Sequence, residues 1–484
     1  MMREQLVLYV NGRRHEVAGS DAFLTLSQFL RERLRLTGTK IVCSEGDCGS
    51  CSVLVGTPSP RDFRFNYRAV DSCILLMFQL DGTHVVTVEG LRTGDELTPV
   101  QQAMVELHGS QCGYCTPGFV VAMSGLLENN PAPREDEWRR GLTGNLCRCT
   151  GYASILAAGK HAAAEEQKKL AELYPQEAMD QEFLGLYEEP FLIRAGTREV
   201  YGALTPFEAA NYLAANPTAK IVSGGTDVGV QLNKRMIAPD KFVVLNRVRS
   251  MLGSGFLRDE RFPQGGIVCS ALDTWTAVET ACRQHVPQFA DIISVFGSPQ
   301  IRNVGTIGGN LVNASPIADS IPFLMVMDAT LAIAGPGGKD RTISINDFYL
   351  GYRKTALQPG EILTTVLFPV PAANQQLSLY KVSRRRDLDI STFTAALLLT
   401  IENETIQEAR IALGGVGPTV VRAKQTESYL RGKPFTESVM QAAGEVAASE
   451  VTPISDVRGS ADFRFQLTRN VFLKFFHERR SAAA

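Results

Sequence analysis

The sequence predicts a multidomain α+β protein, and three observations support this fold class. The chain has 484 residues, which is more than one hydrophobic core usually organises. Residues 1–92 carry short strand patterns, whereas apolar residues recur with a helical period from Thr98 onward. Strand and helix patterns mix again beyond residue 190, with a helix predicted to start at Thr205-Pro206, a strand hairpin around Glu402-Asn403, and helices from Glu437 and from Ala461. We therefore predict domains over residues 1–92, 93–168, 191–372 and 373–484, with residues 169–190 as a linker.

The overall composition is typical of a globular protein in water. Hydrophobic residues make up 44% of the chain and charged residues 21%, and the net charge is only −2. This balance gives no attraction to nucleic acid or to a membrane surface, and the sequence contains no apolar run of membrane-spanning length. The N-terminus lacks the pattern of a signal peptide. We expect a cytoplasmic protein, in which clustered cysteines bind metal more often than they form disulfides.

The first domain is expected to open with a β-hairpin. Residues 5–20 contain two strand-like runs around Asn11-Gly12, a pair that favours the positive φ angles of a type I′ turn. Residues 25–36 then have apolar side chains at helical spacing. Strands are predicted directly after Cys51 and from His84 to Gly90.

Eight of the ten cysteines fall into two groups of four. The first quartet comprises Cys43, Cys48, Cys51 and Cys73, and the second quartet comprises Cys112, Cys115, Cys147 and Cys149. The first quartet has the spacing C-x4-C-x2-C followed by a distant fourth cysteine, which matches plant-type [2Fe–2S] ligation. Gly46 and Gly49 allow the loop to fold tightly enough for three sulfurs to converge. Zinc and buried structural thiols are the alternatives, but zinc sites usually pair two C-x-x-C-like units.

The second quartet is less specific, because C-x2-C with a later C-x-C suits zinc as well as an iron–sulfur cluster. Its first two cysteines precede a helix predicted to begin at Thr116-Pro117, with Thr116 as its N-cap, where N–H groups and a positive dipole favour thiolates. A preceding helix is predicted at Thr98-Pro99, with the threonine as N-cap. Cys147 and Cys149 lie in a glycine-bounded turn before another helix near Tyr152. A helical bundle that carries the quartet on its loops is expected.

Two features outside the quartets have plain structural interpretations. Cys269 and Cys282 show no partner spacing, so we interpret them as core thiols. Residues 172–189 are acidic, contain no Lys or Arg, and lie beside prolines, which favours an interdomain linker.

The chain contains no Walker loop and no clear G-x-G-x-x-G motif. Gly224-Gly225-Thr226 and Gly308-Gly309-Asn310 are instead separate glycine turns, and the first lies between a strand and a helix, where N–H groups can bind a pyrophosphate. A purely structural turn is at least as consistent with either pattern. The basic stretch Arg384-Arg385-Arg386 is, from composition alone, a solvated loop.

Several longer motifs resemble one known family. EGDCGSC, QCGYCTPG and GNLCRCTGY resemble the iron–sulfur half of the molybdenum hydroxylases, the xanthine oxidase family. SGGTDVG, SPQIRNVGTIGGN with NASPIAD, and YKVSRRRDLDI resemble the flavin domain of that family. The resemblance implies a β-grasp plant-type ferredoxin domain and a four-helix [2Fe–2S] domain. These would be followed by an FAD domain of the vanillyl-alcohol-oxidase (PCMH) type and an α+β C-terminal domain like that of the CO dehydrogenase flavoprotein.

The same resemblance implies the cofactors and the residues that bind them. The first quartet would hold the [2Fe–2S] cluster nearer FAD, and the second quartet would hold the cluster nearer a molybdenum cofactor on a partner subunit. The implied FAD residues are Ile221, Val222, Ser223, Gly224, Gly225, Thr226, Asp227, Val228, Phe296, Thr306, Gly308, Gly309, Asn310, Asp319, Leu363 and Lys381. The loop from Arg385 to Asp389 retains basic residues, which favours NAD⁺ as the electron acceptor.

As a whole, the resemblance implies an electron-transfer subunit of a bacterial member of the family. It would work with a large molybdopterin-binding subunit, as an α2β2 heterotetramer, in the oxidation of hypoxanthine and xanthine to urate. One alternative is the same role with an aldehyde or an N-heterocycle as substrate. Another is a stand-alone iron–sulfur carrier or sensor. No nucleic acid or membrane partner is expected.

Overall fold

The computed structural model describes residues 2–58, 64–92, 94, 96–248, 251 and 253–483. The chain divides into a first unit of residues 1–252 and 297–305 and a second unit of residues 253–296 and 306–484. The iron–sulfur candidates all lie in the first unit. No helix within the described ranges has the length and apolar character needed to cross a membrane.

The N-terminal part of the first unit is a mixed sheet with the strand order β2–β1–β5–β3–β4. Its strands are β1 (Gln5–Val10), β2 (Arg13–Ala18), β3 (Ser52–Pro58), β4 (Phe65–Asp71) and β5 (His84–Val86). The predicted hairpin turn is confirmed, because φ is 49° at Asn11 and 77° at Gly12. The strand predicted from His84 to Gly90 is shorter than expected, since a 3₁₀ helix occupies Val88–Leu91.

Short helical segments cover this sheet. A 3₁₀ helix spans Gly19–Phe23, and α1 (Leu26–Gln28) continues as a π-helix over Phe29–Arg33. A further 3₁₀ turn lies at Met77–Gln79. The helix predicted over residues 25–36 therefore forms, but it ends at Arg33.

Four helices follow in the described chain between residues 96 and 168. They are α2 (Pro99–Glu106), α3 (Thr116–Asn129), α4 (Glu135–Gly141) and α5 (Ala153–Ala162). The cap predicted at Thr98 is confirmed, because its hydroxyl oxygen accepts the N–H of Gln101. The cap predicted at Thr116 is wrong: Cys115 is the N-cap residue, and the Thr116 hydroxyl donates to Ser110 instead.

The segment 169–190, predicted as a linker, is folded. It contains α6 (Leu170–Leu173) and α7 (Glu177–Leu186). Met179 and Phe183 are buried one helical turn apart and pack with Val7 of the sheet. The acidic residues of α7, namely Glu177, Asp180 and Glu182, are exposed or half-buried, so the acidic composition concealed a short apolar stripe.

The rest of the first unit is a sheet in the order β6–β7–β9–β8, in which β7, β9 and β8 run parallel. Its elements are β6 (Phe191–Ala195), β7 (Arg198–Gly202), α8 (Pro206–Ala215), β8 (Lys220–Val222), α9 (Val228–Asn233) and β9 (Lys241–Val244). Thr205 caps α8 as predicted. Helix α9 ends at Asn233, before Arg235, and neither Thr226 nor Asp227 caps it through a side chain.

The second unit contains two larger sheets, ordered β10–β11–β16–β12–β13 and β17–β18–β19–β20, and the small pair β14–β15. The strands are β10 (Gly255–Asp259), β11 (Phe262–Ser270), β12 (Thr330–Gly335), β13 (Lys339–Ser344), β14 (Tyr349–Gly351), β15 (Lys354–Thr355), β16 (Ile362–Pro369), β17 (Gln375–Val382), β18 (Phe393–Glu402), β19 (Thr405–Gly414) and β20 (Val421–Arg422). Pairing of β18 with β19 confirms the predicted C-terminal hairpin.

The remaining helices complete the chain. They are α10 (Trp275–Arg283), α11 (Pro287–Ser294), α12 (Pro299–Arg302, in the first unit), α13 (Ile307–Asn313), α14 (Ile321–Val326), α15 (Lys424–Leu430), α16 (Glu437–Ser449) and α17 (Ala461–Ala483), with 3₁₀ turns at Pro336–Gly338 and Ile345–Asp347. The helices predicted from Glu437 and Ala461 are confirmed. Cys269 and Cys282 are fully buried, as core thiols should be.

Candidate iron–sulfur and flavin sites

The sulfur atoms of the first quartet converge on one another. Cys43 has hydrogen-bonding sulfur contacts to both Cys48 and Cys73, and Cys51 has one to Cys73. The backbone N–H groups of Glu45 and Asp47 also point at the Cys43 sulfur, each at 3.4 Å. These sulfur and N–H contacts lower the pKa of Cys43. Converging thiolates surrounded by peptide N–H groups are the donor set that a [2Fe–2S] cluster requires.

Glycines with positive φ angles shape this loop. Gly46 and Gly49 have φ angles of 74° and 67°, which side-chain-bearing residues rarely adopt. A Cβ atom at Gly46 would lie 2.6 Å from the Ile74 side chain. The sequence motif therefore reflects both the turn and the close packing around it.

A buried carboxyl group lies beside the first quartet. Asp71 is 2% exposed, and its Oδ1 atom accepts the thiol of Cys51 at 3.6 Å. Burial and the neighbouring sulfur atoms of Cys51 and Cys43 raise the pKa of Asp71 well above its usual value. The cysteine spacing gave no signal for this residue.

The second quartet consists of two sulfur pairs. The sulfur atoms of Cys112 and Cys149 are 3.6 Å apart, and Cys115 contacts Cys147. The Thr150 hydroxyl donates to the Cys147 sulfur at 3.2 Å. Within the described ranges, no group of three or more possible ligands is arranged to hold a single metal ion. Paired sulfurs suit a cluster with two iron atoms better than one tetrahedral zinc ion.

The loops of the two quartets touch through their backbones. The N–H of Leu146 donates to the carbonyl oxygen of Cys48 at 3.0 Å. The Asn145 side chain donates to the carbonyl oxygen of Gly49, also at 3.0 Å. A Cβ atom at Gly118, in α3, would lie 2.2 Å from that same Gly49 oxygen. The two cysteine sites are therefore direct neighbours within the first unit.

The predicted FAD segment Ile221 to Val228 connects β8 with α9. Gly225 has a φ angle of 71°, and the Gln79 side chain donates to the carbonyl oxygen of Ser223 at 2.6 Å. A Cβ atom at Gly224 would lie 2.0 Å from the carbonyl oxygen of Val304. Close packing within the chain thus accounts for the absence of a side chain at Gly224 and Gly225. Pyrophosphate binding by this segment remains a prediction.

Helix α9 lies directly on the loops of the first quartet. The Asn233 side chain donates to the carbonyl oxygens of Cys73 at 2.8 Å and Ser44 at 3.0 Å. A Cβ atom at Gly229 would lie 2.1 Å from the carbonyl oxygen of Ile74, so the helix approaches the chain as closely as glycine permits. The segment predicted to bind FAD and the first quartet therefore share one packed region.

The other predicted FAD residues belong to the second unit, where several cooperate. Thr306 caps α13 by accepting the N–H of Gly309 at 3.1 Å. Asn310 accepts the Ser320 hydroxyl at 2.7 Å. A Cβ atom at Gly308 would lie 2.6 Å from the carbonyl oxygen of Ala271. This turn is held by its own hydrogen bonds and close packing, as a rigid binding loop would be.

An ion pair connects two more predicted FAD residues. Lys381 and Asp319 pair at 2.5 Å with side chains only 6% and 5% exposed. Asp319 also accepts the Ser391 hydroxyl at 2.5 Å. Phe296 packs edge-on against Trp275, with ring centroids 5.1 Å apart. Leu363 is buried in β16.

The basic loop before β18 is partly exposed. Arg385 and Asp389 form an ion pair of 2.5 Å, which lowers the pKa of Asp389. The Arg384 side chain donates to the carbonyl oxygen of Val457 at 2.8 Å.

Four family models match the chain in succession. They are the 2Fe-2S iron-sulfur cluster binding domain (residues 8–76), the [2Fe-2S] binding domain (87–160), the FAD binding domain in molybdopterin dehydrogenase (196–371) and the CO dehydrogenase flavoprotein C-terminal domain (378–479). The predicted fold class is thereby confirmed. The chain therefore carries two [2Fe–2S] domains, one FAD-binding domain of the kind found in molybdopterin dehydrogenases and one CO dehydrogenase flavoprotein C-terminal domain.

Individual relatives align with nearly the whole of this chain. The xanthine dehydrogenase/oxidase of Gallus gallus is 29% identical over 98% of this chain and 40% of its own length. Xanthine dehydrogenase 1 of Arabidopsis thaliana is 31% identical over 98% of this chain and 39% of its own length. The chain thus spans about two fifths of these relatives.

Two solved structures share the fold over more than half of the chain. A chain of the Cu,Mo-CO dehydrogenase is 27% identical, with a TM-score of 0.54 over 59% of this chain and 98% of its own. A chain of quinoline 2-oxidoreductase from Pseudomonas putida 86 is 28% identical, with a TM-score of 0.52 over 58% of this chain and 96% of its own.

Proposed function

We propose that this chain is the electron-transfer subunit of a xanthine dehydrogenase. It would accept electrons at the second quartet, pass them to the first quartet and deliver them to FAD for the reduction of NAD⁺. When bound, iron–sulfur clusters supply one-electron steps and a flavin joins these to two-electron hydride transfer. The chain's own residues would hold these groups at fixed separations and tune them by burial and N–H···S hydrogen bonds.

The observation that carries this proposal is the continuous packing from the second quartet to the segment 221–228. The Leu146 N–H meets the Cys48 carbonyl oxygen at one end, and Asn233 holds Cys73 at the other. A stand-alone iron–sulfur carrier or sensor would not need a predicted FAD segment packed against its cluster loop. The electron-transfer role is therefore favoured over that alternative.

The difference in exposure between the quartets supports the direction of transfer. Cys51 and Cys73 are buried, whereas Cys112 and Cys149 are exposed. Tyr114 near this pair is itself 50% exposed. A second quartet with Cys112 and Cys149 at the surface suits a docked partner that carries a molybdenum cofactor. The family resemblance suggests an α2β2 assembly in the cytoplasm.

We propose xanthine as the substrate because relatives from animals and plants that carry the xanthine dehydrogenase name align over nearly the whole chain. The similarity to chains of CO dehydrogenase and quinoline 2-oxidoreductase supports a second candidate, the same role for another substrate. The basic loop at Arg385 is the reason for proposing NAD⁺ as the electron acceptor. The order of the fused domains is the reason for proposing a bacterial origin.

Purification of the complex under native conditions tests the proposal. A molybdenum-containing partner should co-purify, and the complex should form NADH from xanthine faster than from quinoline or an aldehyde. The separated chain should oxidise NADH with an artificial acceptor but leave xanthine unchanged. Faster NADH formation from another substrate would shift the assignment to the second candidate, and absence of a molybdenum-containing partner would contradict both.

A further inference from the structure

A buried glutamine lies where the two cysteine loops meet. Gln300, on the short helix α12, is 0% exposed. Its side-chain Nε2 donates to the Asn145 Oδ1 atom at 2.8 Å and to the Ser52 hydroxyl at 3.1 Å. The helix lies in the segment 297–305, which belongs to the first unit, although the chain before and after this segment belongs to the second.

These bonds close a ring on one backbone oxygen. The carbonyl oxygen of Gly49 accepts both the Ser52 hydroxyl at 2.7 Å and the Asn145 side chain at 3.0 Å. Ser52 and Asn145 are each 2% exposed, so water does not compete for these bonds. Gln300 donates to both side chains and thereby fixes their orientations.

Each member of the ring is next to or near a predicted cluster ligand. Ser52 follows Cys51, Gly49 follows Cys48, and Asn145 precedes Cys147 by two residues. The ring therefore lies beside the bond from Leu146 to Cys48, because Asn145 precedes Leu146 and Gly49 follows Cys48. We expect a change in the geometry of the ring to change the separation of the two quartets.

Neighbouring residues of α12 strengthen the same junction. Ile301 packs against the buried cluster formed by Cys51, Cys73 and Ile74. Asn303, just after the helix, donates to the carbonyl oxygen of Ala69 in β4 at 2.9 Å. The helix thus packs against the first quartet through apolar contacts. It is linked to the loop of the second quartet by the hydrogen bond from Gln300 to Asn145.

One atom of Gln300 indicates that stability alone does not explain this residue. Its Oε1 atom is buried and has no hydrogen-bond partner in the described part of the chain. A Cβ atom at Gly144 would lie 2.0 Å from that oxygen. An unsatisfied buried acceptor is unfavourable, and an apolar side chain of the same length would avoid it. Only an amide side chain supplies the two N–H groups that donate to Asn145 and Ser52.

We propose that Gln300 is a positioning residue that sets the separation of the two [2Fe–2S] clusters. The inference rests on the proposed function, because it requires both quartets to carry clusters. Electron transfer between two centres depends steeply on their separation, and so does the magnetic interaction between them. Through Gln300, a residue of the predicted FAD domain would set the separation between the two clusters.

The test compares the whole protein with its Gln300→Met variant, which keeps the side-chain length and removes both N–H donors. Iron content and electron paramagnetic resonance of the fully reduced protein are measured together. We expect both cluster signals and full iron, with an altered spin–spin interaction between the clusters. In the iron-free protein, the Leu146 amide should exchange its hydrogen faster. Gln167→Met, which removes a side chain that donates to the nearby carbonyl oxygens of Ala162 and Glu165, is the control and should change neither result.

The outcomes separate this inference from the proposed function. An unchanged spin–spin interaction in a fully loaded Gln300→Met variant would overturn the positioning role and leave the function intact. Absence of two [2Fe–2S] signals in the unaltered protein would overturn the function itself. If Gln300→Met loses iron, Ser52→Ala removes two bonds of the ring, the one from Ser52 to Gly49 and the one from Gln300 to Ser52. An unchanged interaction in that variant would also overturn the positioning role.

Discussion

Arg247 and Asp81 form an ion pair of 3.2 Å in which the side chains are only 2% and 1% exposed. Asp81 also pairs with Arg3 at 2.7 Å and accepts the N–H of Val7 at 2.8 Å. Arg247 follows β9, whereas Asp81 lies just before β5. The pair therefore joins the parallel sheet that carries segment 221–228 to the sheet that carries the first quartet.

Removal of Asp81 should destabilise the first unit strongly. Asp81→Ala leaves the Arg247 guanidinium buried without its carboxylate, a change that costs about 3–5 kcal/mol in comparable buried pairs. Urea unfolding, followed by a spectroscopic signal of the first unit, measures the loss. Asp259→Ala removes the partner of Arg261 in an exposed ion pair and should change little. Equal effects of the two substitutions would contradict the role assigned to the buried pair.

Acid should destabilise the protein through His84. This side chain is fully buried, its Nε2 accepts the N–H of Gly12 at 3.1 Å, and burial lowers its pKa to about 4. The folded pKa lies below the ordinary value of 6.5, so the stabilisation is complete above pH 6.5 and is lost as the pH falls toward 4. The expected loss over this window is about 3 kcal/mol.

Unfolding free energies measured between pH 7 and pH 4 check this expectation. His84→Gln should flatten the pH dependence, whereas His477→Gln, which changes an exposed histidine of α17, should preserve it. A dependence that survives in His84→Gln would assign the acid sensitivity to other groups.

Local signals in the sequence predicted the fold class well. The Asn11-Gly12 turn and the Thr98 cap are short-range patterns whose physics is contained in a few neighbouring residues. Helix α7 was missed because its apolar stripe, Met179 and Phe183, is embedded in an acidic segment. Gln300 and Asn145 could not be paired from sequence, because their contact spans 155 positions and follows only from the folded chain.

Substitution of single cysteines should separate the two clusters. Cys48→Ser removes a sulfur contact of Cys43, and Cys149→Ser removes the partner of Cys112. Each variant should lose a different cluster signal in electron paramagnetic resonance and about half of the bound iron, because each cluster contains two iron atoms. Cys282→Ser changes a buried thiol of the second unit and should retain both signals. Survival of both signals in Cys48→Ser would mean that the ligand assignment is wrong.

Gly225 provides a test of the flavin assignment. Its φ angle of 71° disfavours any side chain, and a Cβ atom there would lie 2.8 Å from the Gln79 side chain. Gly225→Ala should therefore cost about 1–2 kcal/mol in backbone strain and displace the loop that is predicted to face the pyrophosphate. We expect FAD content, measured by absorbance after purification, to fall sharply.

The matched control for this variant is Gly196→Ala. Gly196 lies between β6 and β7 with a similar φ angle of 61°, but among the described residues other than its two chain neighbours no heavy atom lies within 4 Å of its hypothetical Cβ position. This variant should carry the same kind of backbone strain yet retain FAD. A full FAD complement in Gly225→Ala would refute the pyrophosphate assignment, whereas equal FAD loss in both variants would attribute the effect to strain alone. Loss in Gly225→Ala only is the result that the proposed site requires.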